Sequence, residues 1–386
     1  MKDKISIYYW SPFITHVATV NAVLNSASAL SRYSKKKFNT SLINVAGEWD
    51  QYKDILKEKN INVIKLTNSK IINNSNFTGY FKSRAIYLYI SIISFLPLIN
   101  LLKKNPPAFF VIHLITPLPM IVNSFFNLKT KFILRISGLP RFNIIRKIFW
   151  KITLKKMCHI TCPTNSTKVF MQKSGIVDVD KISLLYDPII NSKDIMLKKK
   201  EKNDNALIGT KYYISIGRLT KQKNFEFLIN VFKDFSKFNN SKLIILGDGE
   251  ERNNLISFIK KNGLDNKILL LGFKKNVFKY LKNSKCFILS SLWEDPGFVL
   301  IESAYMNIPI ISSDCENGPK EILNNGEYGI LFKSNDKKSL MHSLLKFEKM
   351  KKDEIFLNIL NSKKNTKNFS YFRHYKNFSN LIKKIL

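Results

Sequence analysis

Cysteine is scarce in this chain of 386 residues: there are four, and none stands in a spacing that a metal site uses. Cys158 and Cys162 have three residues between them, with no second Cys or His pair to complete a tetrahedral set. A zinc ribbon and a disulfide-stapled scaffold are therefore excluded, and a reducing compartment is expected. Acidic residues are also few, 28 against 63 Lys and Arg, giving a formal net charge of +35. Part of that excess accompanies abundant Asn, Ile, Phe and Tyr, the composition an AT-rich genome produces. The rest has two physical readings, attraction to an anionic membrane surface or to a polyanion. No helix-turn-helix or RNP-like run accompanies the charge, so nucleic acid is not an expected partner. No secretory leader is expected either, because Met1 to Tyr8 runs straight into a strand-like segment.

What is present suffices for more than one core. The chain is 45% hydrophobic and 24% charged, a globular balance, and its length suggests two domains. Short β-branched and aromatic runs recur at 5–10, 41–45, 62–66, 109–114, 131–136, 159–162 and 182–186. A second set lies at 212–216, 242–246, 268–272, 286–290, 308–312 and 330–332. These nearly continuous apolar runs, alternating with helical spacing, predict two parallel, doubly wound α/β sheets. Between the sets, 188–207 is lysine-rich and polar and reads as a solvated linker or surface loop. The expected domains are 1–190, a linker at 191–207, 208–365, and a C-terminal helix over 366–386. In that helix Phe372, Tyr375, Phe378, Leu381, Ile382 and Ile385 recur at three- and four-residue steps, as a packing face does.

Two other segments bear on membranes. Residues 85–102 carry no charge and are flanked by Arg84 and by Lys103 and Lys104, close to the shortest span of roughly 17 residues. Pro97 and Asn100 interrupt the run, and a buried helix, an interfacial helix and a span all remain open. Residues 146–156 combine a basic side with large apolar residues, as an interfacial helix does, although a solvated helix face would also account for them.

Chemistry concentrates at two strand–loop–helix joints, where open α/β sheets bind ligands. At the first, the strand 212–216 ends in Gly217-Arg218-Leu219-Thr220-Lys221-Gln222-Lys223-Asn224, whose Arg218 and Lys223 can clamp a diphosphate. At the second, Ser290 leads through Trp293-Glu294-Asp295-Pro296-Gly297 into an apolar helix carrying Glu302. Backbone N–H groups near Gly297 face an anion, and the two carboxylates suit hydroxyls. By spacing alone, surface glutamates on an ordinary helix explain the second joint equally well.

Together with Gly247-Asp248-Gly249-Glu250, Leu271-Gly272-Phe273, Ile308-Pro309-Ile310, Gly318-Pro319-Lys320-Glu321 and Asn325-Gly326-Glu327, these joints resemble the retaining glycosyltransferases of family 4, also called group 1. The resemblance spans Tyr212 to about Phe332 and implies a GT-B fold, two Rossmann-like domains facing a cleft with the C-terminal helix packing back on the first. It also implies roles. Arg218 and Lys223 match the donor-diphosphate pair, Glu294 the carboxylate on the transferred sugar, and Glu302 the one on the nucleotide ribose. Gly297, Phe298 and Val299 match backbone groups near the donor, and Phe273 and Lys274 the loop beside the base. Three departures stand out. Pro296 has no N–H to donate, the loop at Trp10-Ser11-Pro12-Phe13 lacks paired glycines, and Ser137 stands where many relatives place a His. His16 or His113 could take over that role near the reaction centre, although a lone His is more often structural.

Asp178-Val179-Asp180 looks like a metal-binding D-x-D but precedes a strand in a polar turn, so no metal and no cofactor are expected. The resemblance thus implies a retaining, metal-independent transferase using a nucleoside diphosphate sugar, UDP first. The basic, aromatic first half points to a lipid-linked oligosaccharide acceptor, as in bacterial O-antigen or other surface polysaccharide synthesis. It would sit on the cytoplasmic face of the inner membrane, bound to its anionic surface. A soluble acceptor, or a member with lost activity, remains the alternative.

Overall fold

The computed structural model describes residues 4–14, 18–70, 80–202 and 211–386. The chain divides into two compact units, one running to Pro188 and taking back Tyr371–Leu386, the other comprising Ile189–Ser370.

Thirteen strands form among the described residues. In the first unit they are β1 (Ile5–Trp10), β2 (Phe38–Asn44), β3 (Asn62–Lys65), β4 (Phe109–Ile112), β5 (Lys131–Arg135), β6 (His159–Cys162) and β7 (Ile182–Leu184). In the second they are β8 (Tyr212–Ile216), β9 (Lys242–Leu246), β10 (Ile268–Leu270), β11 (Ser284–Leu289), β12 (Ile310–Ser313) and β13 (Ile330–Phe332). The sheet orders are β3-β2-β1-β4-β5-β6-β7 and β10-β9-β8-β11-β12-β13, with every pairing parallel. In both, the order reverses beside the first strand of the set, which is the doubly wound arrangement.

Alternation along the strands explains the layers of the first unit. Trp10, Phe110 and Leu134 point to one face, where they pack against Ile90 and Leu98 of the helix Tyr80–Lys104, Val122 of Pro117–Phe125, and Trp150 of Ile144–Leu154. Their neighbours Tyr9, Phe109 and Ile133 point to the other face, against Val20 and Leu30 of the helix Ala18–Tyr33. The C-terminal helix Tyr371–Ile385 joins that second face through Phe378 and Ile382. Each fully buried side chain of that size contributes about 1.5–3 kcal/mol.

A polar chain fixes the same helix. His374 Nδ1 lies 2.8 Å from the Tyr186 carbonyl, His374 Nε2 lies 2.8 Å from Ser26 Oγ, and Ser26 Oγ lies 3.0 Å from the Tyr9 hydroxyl. Burial pushes the His374 pKa down to about 4, so the ring is neutral near pH 7. A carbonyl only accepts, so Nδ1 carries the single N–H, Nε2 accepts from Ser26, and Ser26 in turn accepts from Tyr9. Nearby, Arg135 and Asp187 form a buried ion pair at 2.5 Å.

Two expected segments differ from their sequence reading. Residues 191–207 were expected as linker, but Ser192–Lys200 is helical because Ile195 finds apolar cover, and Asn276 Nδ2 donates to the Lys198 carbonyl at 2.8 Å. The remainder, 203–207, lies outside the described residues. Within the expected 366–386 helix, a 3-10 turn at Thr366–Phe369 belongs to the second unit, and the helix itself starts at Tyr371. The apolar run 85–102 forms most of the helix Tyr80–Lys104, with Ile86, Ile90, Ser94, Leu98 and Leu102 buried and Leu88, Ile92 and Leu96 exposed. One apolar face thus packs into the first unit while the other is exposed, and among the described residues this is the one helix long and apolar enough to cross a membrane.

In the second unit a glycine sets the spacing of the carboxyl edge. Gly247 (φ +149°) follows β9, and a Cβ there would stand 1.8 Å from the Gly217 carbonyl oxygen. Gly247→Ala should destabilise this unit by about 2–4 kcal/mol, because both the clash and the backbone conformation oppose it. Gly263→Ala, at φ +60° with open space around it, should cost only about 1–2 kcal/mol. Urea titrations of the two variants check the difference; equal midpoints would mean the edge can relax.

Candidate active site

The carboxyl edge of the second sheet is a row of loops joined by backbone hydrogen bonds. Gly247 N–H donates to the Gly272 carbonyl at 2.9 Å, linking the loops after β9 and β10. Leu219 N–H donates to the Asp248 carbonyl at 2.9 Å, bringing in the loop after β8. Leu292 N–H donates to the Gln222 carbonyl at 2.8 Å, and Gln222 Nε2 donates to the Trp293 carbonyl at 2.8 Å, which adds the loop after β11. Ser290 Oγ donates to the Lys223 carbonyl at 2.8 Å. The four loops therefore hold one another in place.

Lys223 and Glu294 meet across two of these loops. Lys223 Nζ donates to Glu294 Oε1 at 2.5 Å, and Ser291 Oγ donates to the same oxygen at 2.6 Å. The Glu294 side chain is only 5% exposed, and a carboxylate so placed needs a partner of opposite charge. Lys223 has three N–H donors, so the pair leaves two available for an anion. Arg218, five residues earlier, is exposed and makes no side-chain ion pair or hydrogen bond among the described residues. The buried Thr220 hydroxyl in the same loop also lacks a partner. Unpaired polar groups gathered at one strand end are what a polar ligand would satisfy.

Gly297 caps the helix Phe298–Tyr305 with φ +97° and ψ +71°, a left-handed turn that suits glycine. Its own N–H and those of Phe298 and Val299 begin the helix, where no intrahelical acceptor exists for them. Gly318 lets the chain pass Pro296: a Cβ there would stand 2.1 Å from the Pro296 carbonyl oxygen. One turn into the helix, Glu302 is half-buried, and desolvation pushes its pKa up to about 7, opposed by the positive charge of Lys198.

The sequence-predicted residues thus separate into groups. Arg218 and Lys223 lie in the loop after β8, and Glu294, Gly297, Phe298, Val299 and Glu302 in the loop and helix after β11, two strands that are neighbours in the sheet. Phe273, 72% exposed, and Lys274, whose ammonium lies 5.8 Å from the Tyr280 ring centre, sit after the edge strand β10. In the first unit, Ser137 Oγ donates to the His113 carbonyl at 3.2 Å, so these two positions are neighbours. His113 is buried, its Nδ1 has no partner, and burial followed by the charges of Arg135 and His374 holds its pKa well below the usual value. A neutral imidazole can accept or donate but is not a charged acid there. His16 lies outside the described residues.

Sequence reasoning gave no individual role to Ser291, Gln222, Gly318 or Lys198. Ser291 adjoins the motif and was open to notice. Lys198 stands in a lysine run about a hundred residues upstream, where no local pattern marks it.

Residues 198–366 match the family described as glycosyl transferases group 1. Two curated relatives act on undecaprenyl-linked saccharides by their names. A Campylobacter jejuni N-acetylgalactosamine-N,N'-diacetylbacillosaminyl-diphospho-undecaprenol 4-alpha-N-acetylgalactosaminyltransferase is 26% identical over 57% of this chain and 60% of its own. An Escherichia coli UDP-Gal:alpha-D-GlcNAc-diphosphoundecaprenol alpha-1,3-galactosyltransferase is 29% identical over 52% of this chain and 53% of its own. Both matches thus span less than two thirds of the relative. The crystal structure of a glycosyltransferase from Rickettsia africae shares the fold, with a TM-score of 0.74, 17% identity and 99% of each chain covered. The matched residues hold every group of the β8–β11 site, so this part of the chain is similar to the group 1 glycosyltransferases, and the chain has the GT-B fold.

Proposed function

We propose that the chain is a retaining, metal-independent glycosyltransferase that moves a sugar from a UDP-sugar to a lipid-linked oligosaccharide in surface polysaccharide synthesis. The observation that carries the proposal is the buried Lys223–Glu294 pair set beside the unpartnered Arg218 and the amides that open at Gly297. Cations and N–H groups suited to a diphosphate, beside a carboxylate suited to sugar hydroxyls, support this reading.

The chemistry follows from charge. When the bond from the anomeric carbon to the phosphate oxygen breaks, negative charge grows on the departing diphosphate and the sugar becomes oxocarbenium-like. Arg218 and the two free N–H donors of Lys223 stabilise the leaving charge. Glu294, held on Lys223 and Ser291, accepts from the transferred sugar and fixes its orientation. The acceptor hydroxyl attacks on the face the diphosphate leaves, and its proton passes to the departing phosphate oxygen. No protein nucleophile is required. Glu302 in its ionised form accepts from the two ribose hydroxyls. The undecaprenyl-linked acceptors named for the two bacterial relatives support the lipid-linked class, and the galactosyltransferase's UDP-Gal supports UDP.

Three outcomes are expected. A melting-temperature panel of UDP, GDP, ADP and their sugar conjugates should single out UDP. At about 100 times its dissociation constant a ligand stabilises by about 2.7 kcal/mol, a rise of several degrees that Arg218→Ala should remove. Silence across the whole panel would count against a working donor site. Glu294→Gln and Arg218→Ala should each lower turnover by about 100-fold or more, measured as sugar transfer to a lipid-linked acceptor extract; near-normal transfer by either sinks the assignment.

The third concerns pH. Because the Glu302 carboxyl titrates at about 7, protons compete with donor binding at acid pH. Affinity for a UDP-sugar should therefore weaken by up to about tenfold per unit below neutrality, while Glu302→Gln should show a weaker but flat profile. Calorimetric titrations of both proteins decide it, and parallel profiles would remove Glu302 from the ribose.

A further inference from the structure

In the second unit, the helix Lys352–Asn365 packs with one side only. Ser362 is buried on that side, and Ile355 rests against the apolar core there. At about 3.6 residues per turn, the opposite side carries Asp353, Leu357, Leu360 and Lys364 in one stripe. All four are exposed, Leu357 at 55% and Leu360 at 37%, and Phe356 at the edge of the stripe is 65% exposed. Among the described residues of the second unit, no other helix exposes three large apolar side chains.

The order of the stripe is what gives it meaning. Toward the C-terminus it runs acid, leucine, leucine, base, and the Asp353 and Lys364 side chains make no ion pair among the described residues. A second copy of the helix can be turned end for end about a two-fold axis midway between residues 358 and 359. Asp353 then meets Lys364 of the second copy, Leu357 meets its Leu360, and each contact occurs twice. A two-fold contact has to complement itself. This stripe does so in the antiparallel sense, whereas a parallel pairing would set Asp353 on Asp353 and Lys364 on Lys364.

Charge selects the occupant. A nucleic acid or an anionic lipid surface would meet Asp353, and Glu354 beside it, with like charge. A second copy supplies leucine for leucine and a cation for each Asp353. The net charge of +35 opposes self-association at long range, but at physiological ionic strength charges more than about 8 Å apart are largely screened. The contact is small. A helix of 14 residues is about 21 Å long, so two of them bury less than the roughly 1,200 Å² of a standard interface. The dimer is therefore a reversible one, with an expected dissociation constant of about 10–100 μM.

We propose that the chain forms a two-fold homodimer through the helix Lys352–Asn365, packed antiparallel on its copy, with Leu357 and Leu360 at the centre and Asp353–Lys364 pairs at both ends. None of these residues belongs to the donor site, so the dimer and the proposed reaction stand or fall separately.

Sedimentation velocity of the full chain at physiological salt, from about 5 to 500 μM, tests it. The average mass should rise toward that of a dimer across this range. Leu357→Asp should weaken association by roughly tenfold or more, while the melting temperature of the dilute chain and its nucleotide-induced shift stay unchanged. The charged ends give the register. Lys364→Asp sets carboxylate against carboxylate twice and Asp353→Lys sets ammonium against ammonium, so each should weaken association by roughly three- to tenfold. Both substitutions in one chain restore opposite charges and should return the constant to within roughly twofold of the original. A chain that stays monomeric at the highest concentration, its stripe left to some other partner, would overturn the proposal. So would a dimer that Leu357→Asp leaves intact, since it would join elsewhere, or a double variant as weak as the single ones, since the antiparallel register would then be wrong.

Discussion

A carboxylate taken out of water must be given a positive partner, and in the second unit that requirement is met by Lys223 on Glu294. The partner comes from a different loop, seventy-one residues away in sequence. Satisfying one buried charge therefore fixes the loop after β8 against the loop after β11. The backbone bonds through Gln222, Ser290 and Leu292 follow the same seam. The outcome is a lysine already oriented before any anion arrives, which lowers the ordering cost that binding would otherwise carry.

The first unit solves a related problem with neutral groups. Its buried polar side chains include Tyr9, Ser26 and His374, and the low pKa of His374 keeps that chain uncharged. Arg135 and Asp187 supply the one buried ion pair seen there among the described residues. Glu48 is a contrast: it has no cation among the described residues, accepts from the N–H groups of Val45 and Ala46, and is pushed up to about 7 by burial. The two units thus share a sheet plan while placing their charge differently.

Strands were legible because each is an apolar run covered on both faces, so pattern alone identified β1, β6, β8, β9 and β13 to the residue. The cationic loop at Arg218 and Lys223 was legible for a different reason, its place at the end of β8. The helix Tyr80–Lys104 was not resolved by its sequence, because both its faces are apolar and the periodicity that would separate core from surface is lost. The helix at Ser192–Lys200 was hidden by its lysines, which outnumber the single anchoring Ile195. Nor could sequence say that the Ser137 hydroxyl turns to the His113 carbonyl, a contact between residues twenty-four apart that follow neighbouring strands.

The position of Phe378 and Ile382 in the core of the first unit has a consequence for biogenesis. These side chains are made after the whole of the second unit, although they complete a core whose other members are made before it. At about 5–20 residues per second of synthesis, the first sheet waits about 10–40 s with one face partly uncovered. During that wait the second unit can already fold, since nothing in its sheet comes from the last sixteen residues. The order of maturation is then the reverse of the order of translation, and a ribosome stalled just before Tyr371 would carry a complete second unit and an incomplete first.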